Sequence, residues 1–93
     1  MPTSSPQLPP ADLGTPEIVR SITDVVLEIP ADLPHDARFD DHDVDSLVLA
    51  EAAVVVTRLY GVEVHEWELR DAGTLQGVAD VVRERVAAHR AGR

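Results

Sequence analysis

The chain has no cysteine, no lysine and only three aromatic residues among its 93. Without cysteine there is no disulfide framework, no thiolate nucleophile and no Cys-based zinc site. Basic residues are scarce: eight, all arginine, against seventeen acids, for a formal net charge of −9. That balance argues against nucleic acid, because phosphate contacts need a basic face. It argues equally against an anionic membrane surface. No apolar run approaches the ~18 residues of a membrane span, and the N-terminus lacks a basic start followed by an apolar stretch. These absences lead us to expect a cytoplasmic, soluble monomer whose natural partner is a basic protein surface.

What is present suffices for one domain with a core. Hydrophobic residues make up 44%. Phe39, Tyr60 and Trp67 are the only aromatics, so that core rests on Val, Leu, Ile and Ala. Residues 1–14 hold four of the seven prolines (Pro2, Pro6, Pro9, Pro10) among Thr, Ser and Gln. They read as a flexible leader, since such a stretch buries too little apolar area to offset its ordering entropy. Folding is expected over residues 15–88, with 89–93 as a tail.

Thr15-Pro16-Glu17 spells a helix start, with Thr15 as N-cap, Pro at the first position and an acid in the first turn. Ile18, Ile22, Val25 and Ile29 then recur on one helical face, widened by Val19 and Val26. A helix over 16–29, stopped by Pro30, is predicted. Residues 31–45 lose the pattern: six aspartates (Asp32, Asp36, Asp40, Asp41, Asp43, Asp45) stand against Arg38. Connections of that length are often functional, and Phe39 is expected to pin this one to the core. Asp45-Ser46 opens a second helix, with Leu47 to Tyr60 as its body and Gly61 as its stop. Val62-Glu63-Val64 reads as extended. A short helix follows over Glu66–Asp71, ended by Gly73. Thr74 caps a last helix with the stripe Leu75, Val78, Val82 and Val86.

The second helix carries more apolar surface than a core requires. Leu49, Ala53, Val56 and Tyr60 form one stripe, while Leu47, Ala50 and Val54 form another. The helix is either buried on two sides or left partly open to a partner, beside Ser46 and the acidic connection.

Enzymatic chemistry finds little purchase. Asp41, Asp43 and Asp45 alternate as in a calcium loop, but Ser46 and Ala52 stand where Gly and a bidentate Glu are needed. His35, His42, His65 and His89 lack a metal-ligand spacing. Ser46, His42 and Asp43 lack the arrangement of a catalytic triad, and there is no G-x-S-x-G elbow. Neither a metal site nor catalysis is expected. Ser46 itself remains open, because a serine at a helix start is often only an N-cap.

Asp45-Ser46-Leu47, at the head of an amphipathic second helix after a long acidic loop, resembles the signature of acyl carrier proteins. The likeness extends to Phe39 seven residues before the serine and to Glu51 five residues after it. It includes Tyr60-Gly61-Val62-Glu63-Val64 at the close of the second helix and Thr74-Leu75-Gln76-Gly77-Val78 at the start of the last. It covers about residues 16–88. The resemblance implies an all-α, acyl-carrier-like four-helix bundle: three main helices, one short one, and a long loop between the first two. It implies 4′-phosphopantetheine on Ser46 from coenzyme A, with Asp45 and Leu47 as motif neighbours, in a non-catalytic carrier. Val48, Glu51, Val54 and Arg58 are the implied partner-binding residues. The implied partners are a phosphopantetheinyl transferase, an acyltransferase or ligase, a ketosynthase and tailoring enzymes.

The sequence also departs from the family's pattern. Leu-Gly is common where His42-Asp43 stand, which predicts a differently built turn. Val48 replaces an Asp frequent in fatty-acid carriers, Arg58 interrupts the acidic face, and His65 replaces a common Pro. These departures point to a discrete carrier of polyketide or related secondary-metabolite biosynthesis. The alternatives are a fatty-acid synthase carrier, a stand-alone peptidyl or aminoacyl carrier, and a helical interaction domain in which Ser46 merely caps.

Overall fold

A computed structural model of the chain describes residues 14–91. They form four α-helices: α1 (Thr15–Thr23), α2 (Ser46–Tyr60), α3 (Glu66–Ala72) and α4 (Leu75–Ala91), with a 3₁₀ turn at Phe39–Asp41 before α2. There is no strand among the described residues. The architecture is therefore a small all-α bundle. None of the described helices is long and apolar enough to cross a membrane.

One aliphatic core runs through the bundle. Ile18 and Ile22 of α1, Leu49 and Val56 of α2, Leu69 of α3, and Leu75, Val78, Val82 and Val86 of α4 are all buried in it. The α4 stripe therefore lies where its spacing predicts. Val62 and Val64 are buried while Glu63 is exposed, the alternation expected of an extended segment.

The first helix is shorter than its apolar spacing predicts. It ends at Thr23, and single turns follow, with the Val26 N–H donating to the Ile22 carbonyl and Ile29 N–H to that of Val26. Thr23, Val25 and Val26 are β-branched and propagate a helix poorly. Val26 and Ile29 still reach the core, but Val25 faces solvent, which corrects its place in the predicted stripe. The N-cap is also displaced. Gly14 is the cap residue, its carbonyl accepting from the Ile18 N–H at 3.2 Å. Thr15 instead joins α1 to α4, its Oγ1 accepting from Gln76 Nε2 (3.2 Å) and Arg83 (3.0 Å). The Pro-rich leader otherwise lies outside the described residues. At the other end, His89–Ala91 continue α4 rather than forming a tail.

The connection between α1 and α2 thus spans residues 24–45. Phe39 is buried as expected, and Leu33 and Val44 also anchor the connection, a role that the surrounding acidic residues obscure in the sequence. Phe39 N–H donates to the Gly73 carbonyl and Gln76 N–H to that of His35, both at 2.9 Å. These bonds dock the connection on the α3–α4 corner and so position the start of α2.

Between α3 and α4 an ion pair joins Glu68 to Arg85. The Arg85 guanidinium, hydrogen-bonded to Glu68, holds that carboxyl below the usual carboxylate range. A carboxylate lowered in this way contributes its stability above its unfolded pKa. The contribution is lost as pH falls through the lowered folded value.

Candidate functional site

The site is built at the head of α2, where four backbone N–H groups lack helical partners. Asp45, in extended conformation, is the N-cap, its Oδ1 accepting from the Val48 N–H at 3.1 Å. Ser46 is therefore the first residue of the helix rather than its cap, and it is exposed. This decides one question the sequence leaves open: the capping task belongs to Asp45. At the far end Gly61 closes α2 in the left-handed conformation, φ 68°.

The turn before the motif contains an unusual residue. Asp43 has φ 61°, a left-handed conformation that favours glycine, with Asp and Asn the next best tolerated. The backbone shape that glycine would allow is thus retained with an aspartate in its place. Beside Ser46 lies a hollow of about 230 Å³, with Phe39, Val44 and Leu49 among its apolar lining and Arg38 and Arg70 among its charged lining. Arg70 is held on α3 by Glu66, at 2.6 Å.

The sequence-predicted residues fall on two faces. Ser46, Leu47, Glu51, Val54 and Arg58 are exposed, Leu47 at 78% and Val54 at 52%. Ala50 joins them, so the second apolar stripe of α2 is open to solvent. Val48 departs from the partner-facing assignment: it is half-buried and packs against the core. Position 48 lies four residues before the buried Ala52, one helical turn away on the same face, so part of its side chain turns inward with that residue. Ala52, absent from the predicted core stripe, is buried beside Ala53 and Val56, so the buried face of α2 is wider than that stripe.

A second depression runs along α2, bounded by Ala50, Ala53, Val54 and Thr57 on one side and by Glu63, Val64 and His65 on the other. Its volume is about 430 Å³. The Val64 N–H donates to Thr57 Oγ1 at 3.4 Å across its floor. Sequence reasoning missed this groove, because its second wall comes from a non-helical segment placed by α4. Among the described residues no group of three His, Asp or Glu side chains could hold a metal ion.

No family model, curated protein or solved structure matches the chain.

Proposed function

We propose that the chain is a discrete carrier protein that tethers acyl intermediates through a 4′-phosphopantetheine arm on Ser46. The observation that supports this best is the division of labour at the head of α2: Asp45 caps, and the exposed hydroxyl of Ser46 is left for chemistry. In the modification, catalysed by a separate transferase, the Ser46 oxygen attacks the pantetheine-bearing phosphorus of coenzyme A. A new P–O bond forms, the diphosphate P–O bond breaks, adenosine 3′,5′-bisphosphate leaves, and the serine proton passes to the transferase. When bound, the arm supplies a terminal thiol on which acyl groups ride as thioesters.

The residues around Ser46 fit such a group. A phosphodiester adds one negative charge at a helix N-terminus, where the macrodipole tolerates it. Asp43 adopts a left-handed conformation that glycine favours, so the backbone here is of a kind that the glycine common in acyl carrier proteins at that position could also adopt. The acidic chain is steered to basic enzyme surfaces, and such electrostatic docking speeds encounter more than it tightens the complex. That suits a shuttle that must release.

The choice of pathway rests on the exposed surface of α2. Leu47, Ala50 and Val54 are apolar there, Glu51 is acidic and Arg58 basic. This mixed face favours polyketide or related secondary-metabolite enzymes over the acidic recognition of fatty-acid synthesis. Transfer of malonyl, longer acyl and aminoacyl groups by the corresponding loading enzymes separates the carrier classes.

The decisive experiment is intact mass after incubation with a promiscuous phosphopantetheinyl transferase and coenzyme A. Wild type gains one phosphopantetheine, and Ser46→Ala gains none while keeping its helicity. Modification that persists in Ser46→Ala, or that fails in the wild type with several transferases, overturns the carrier reading in favour of a helical interaction domain.

A further inference from the structure

Two of the eight arginines, Arg38 and Arg70, line the hollow of about 230 Å³ beside Ser46. They come from distant parts of the sequence, and one backbone bond brings those parts together. Phe39 N–H donates to the Gly73 carbonyl at 2.9 Å, which seats Arg38 against the end of α3, the helix that carries Arg70. Both partners of that bond are fixed: Phe39 is buried, and Gly73 closes α3 in the left-handed conformation, φ 77°. The fold therefore holds both arginines at the hollow, while both residues remain exposed to solvent.

Their donors are mostly uncommitted. Among the described residues Arg38 has no ion-pair partner. Arg70 gives one nitrogen to Glu66, leaving most of its guanidinium N–H groups for another acceptor. Arg83 and Arg85, by contrast, are taken up by Asp80 and Thr15 and by Glu63 and Glu68. The carboxylates at the hollow are Asp40 and Asp45, and Asp45 is engaged as the cap of α2.

An anion on Ser46 needs such donors. Asp40, Asp41, Asp43 and Asp45 precede the serine, so a phosphodiester there enters like-charged surroundings that oppose it. Arg38 and Arg70 are the cations of the hollow. Guanidinium binds phosphate oxygens through paired, charge-assisted hydrogen bonds, and a diester presents its non-bridging oxygens to receive them. The buried Phe39, Val44 and Leu49 form the apolar side of the hollow. Hydrogen bonds beside such low-dielectric matter are less weakened by water.

We propose that Arg38 and Arg70 clamp the phosphodiester of the arm on Ser46 by donating to its non-bridging oxygens. This rests on the carrier reading of Ser46 and goes beyond it, by giving two residues outside the serine motif a role toward the arm. They are positioning residues. They fix the root of the arm at the hollow and leave its thiol end free to travel.

The test compares the unmodified and modified full chain, labelled with 15N and prepared with a promiscuous phosphopantetheinyl transferase and coenzyme A. Intact mass first establishes one phosphopantetheine per chain. In wild type at mildly acidic pH, the Nε–H signals of Arg38 and Arg70 should move on modification. That of Arg90, near the far end of α4, should not. Melting temperature supplies the second readout. Modification should lower that of Arg38→Gln/Arg70→Gln by about 4–8 °C more than that of wild type, and molar salt should shrink the difference. Arg20→Gln/Arg90→Gln removes the same charge elsewhere and should respond as wild type does. Complete modification with both Nε–H signals unmoved, or an equal response of the two double variants, overturns the clamp and leaves the carrier reading standing. Wild type that takes up no phosphopantetheine overturns that reading and the clamp with it. If Arg70→Gln, without its bond to Glu66, fails to fold, the wild-type spectra alone decide between these outcomes.

Discussion

The two faces of α2 are built from the same residue types and have opposite fates. Leu49, Ala53 and Val56 lie in the core, Val56 with no exposed surface, while Leu47, Ala50 and Val54 face solvent. Composition does not distinguish them. Position relative to α1, α3 and α4 does. One face holds the fold together, and the other is available to something outside it.

A charge placed on each face should break the symmetry most sharply. Val56→Asp puts an unpaired carboxylate into the core and should cost on the order of 4 kcal/mol or more, enough to unfold much of a small domain. Val54→Asp should cost less than about 1 kcal/mol, since its side chain is already half in water. Urea denaturation of both variants checks this. Under the carrier reading Val54→Asp should also slow acyl transfer with the cognate partner, at unchanged helicity. Equal destabilisation by the two variants would show that α2 is buried on both sides.

The head of α2 offers a second contrast, of intermediate size. Asp45→Ala removes the cap and should cost about 0.5–2 kcal/mol. Ser46→Ala removes no cap bond and should shift stability by less than about 0.5 kcal/mol. Thermal melts at neutral pH rank the two. A Ser46→Ala loss as large as that of Asp45→Ala would return the capping role to the serine.

The smallest effect concerns the turn before the motif. Asp43→Gly relieves a left-handed conformation, worth about 1 kcal/mol, against the greater chain entropy of glycine. A net stabilisation of a few tenths of a kcal/mol is expected, read as a small rise in the denaturation midpoint. A clear loss would mean that the Asp43 carboxylate makes a contact that matters more than its backbone strain.

Several boundaries were legible because their signals are local. Asp45 before α2, Gly61 after it, Gly73 after α3 and Thr74 before α4 act on the backbone within a turn of themselves. The Gly77 N–H, for example, donates to Thr74 Oγ1 at 3.0 Å. The candidate serine was legible for the same reason, although its neighbour, and not Ser46, provides the cap. The end of α1 was not legible, because the apolar spacing of Ile22, Val26 and Ile29 reports a buried face and not the helix itself. The face persists past Thr23 while the helix does not.

The sequence by itself determined the all-helical class, the ends of α2 and α3, the start of α4 and the place of Ser46, since periodicity, caps and left-handed glycines need no distant partner. Only the tertiary structure decided which apolar stripe of α2 is core, that Val25 turns outward and Val48 partly inward, and that Arg85 reaches back to Glu63 and Glu68. Burial and ion pairing depend on what lies opposite, and for these residues the neighbour comes from another part of the chain.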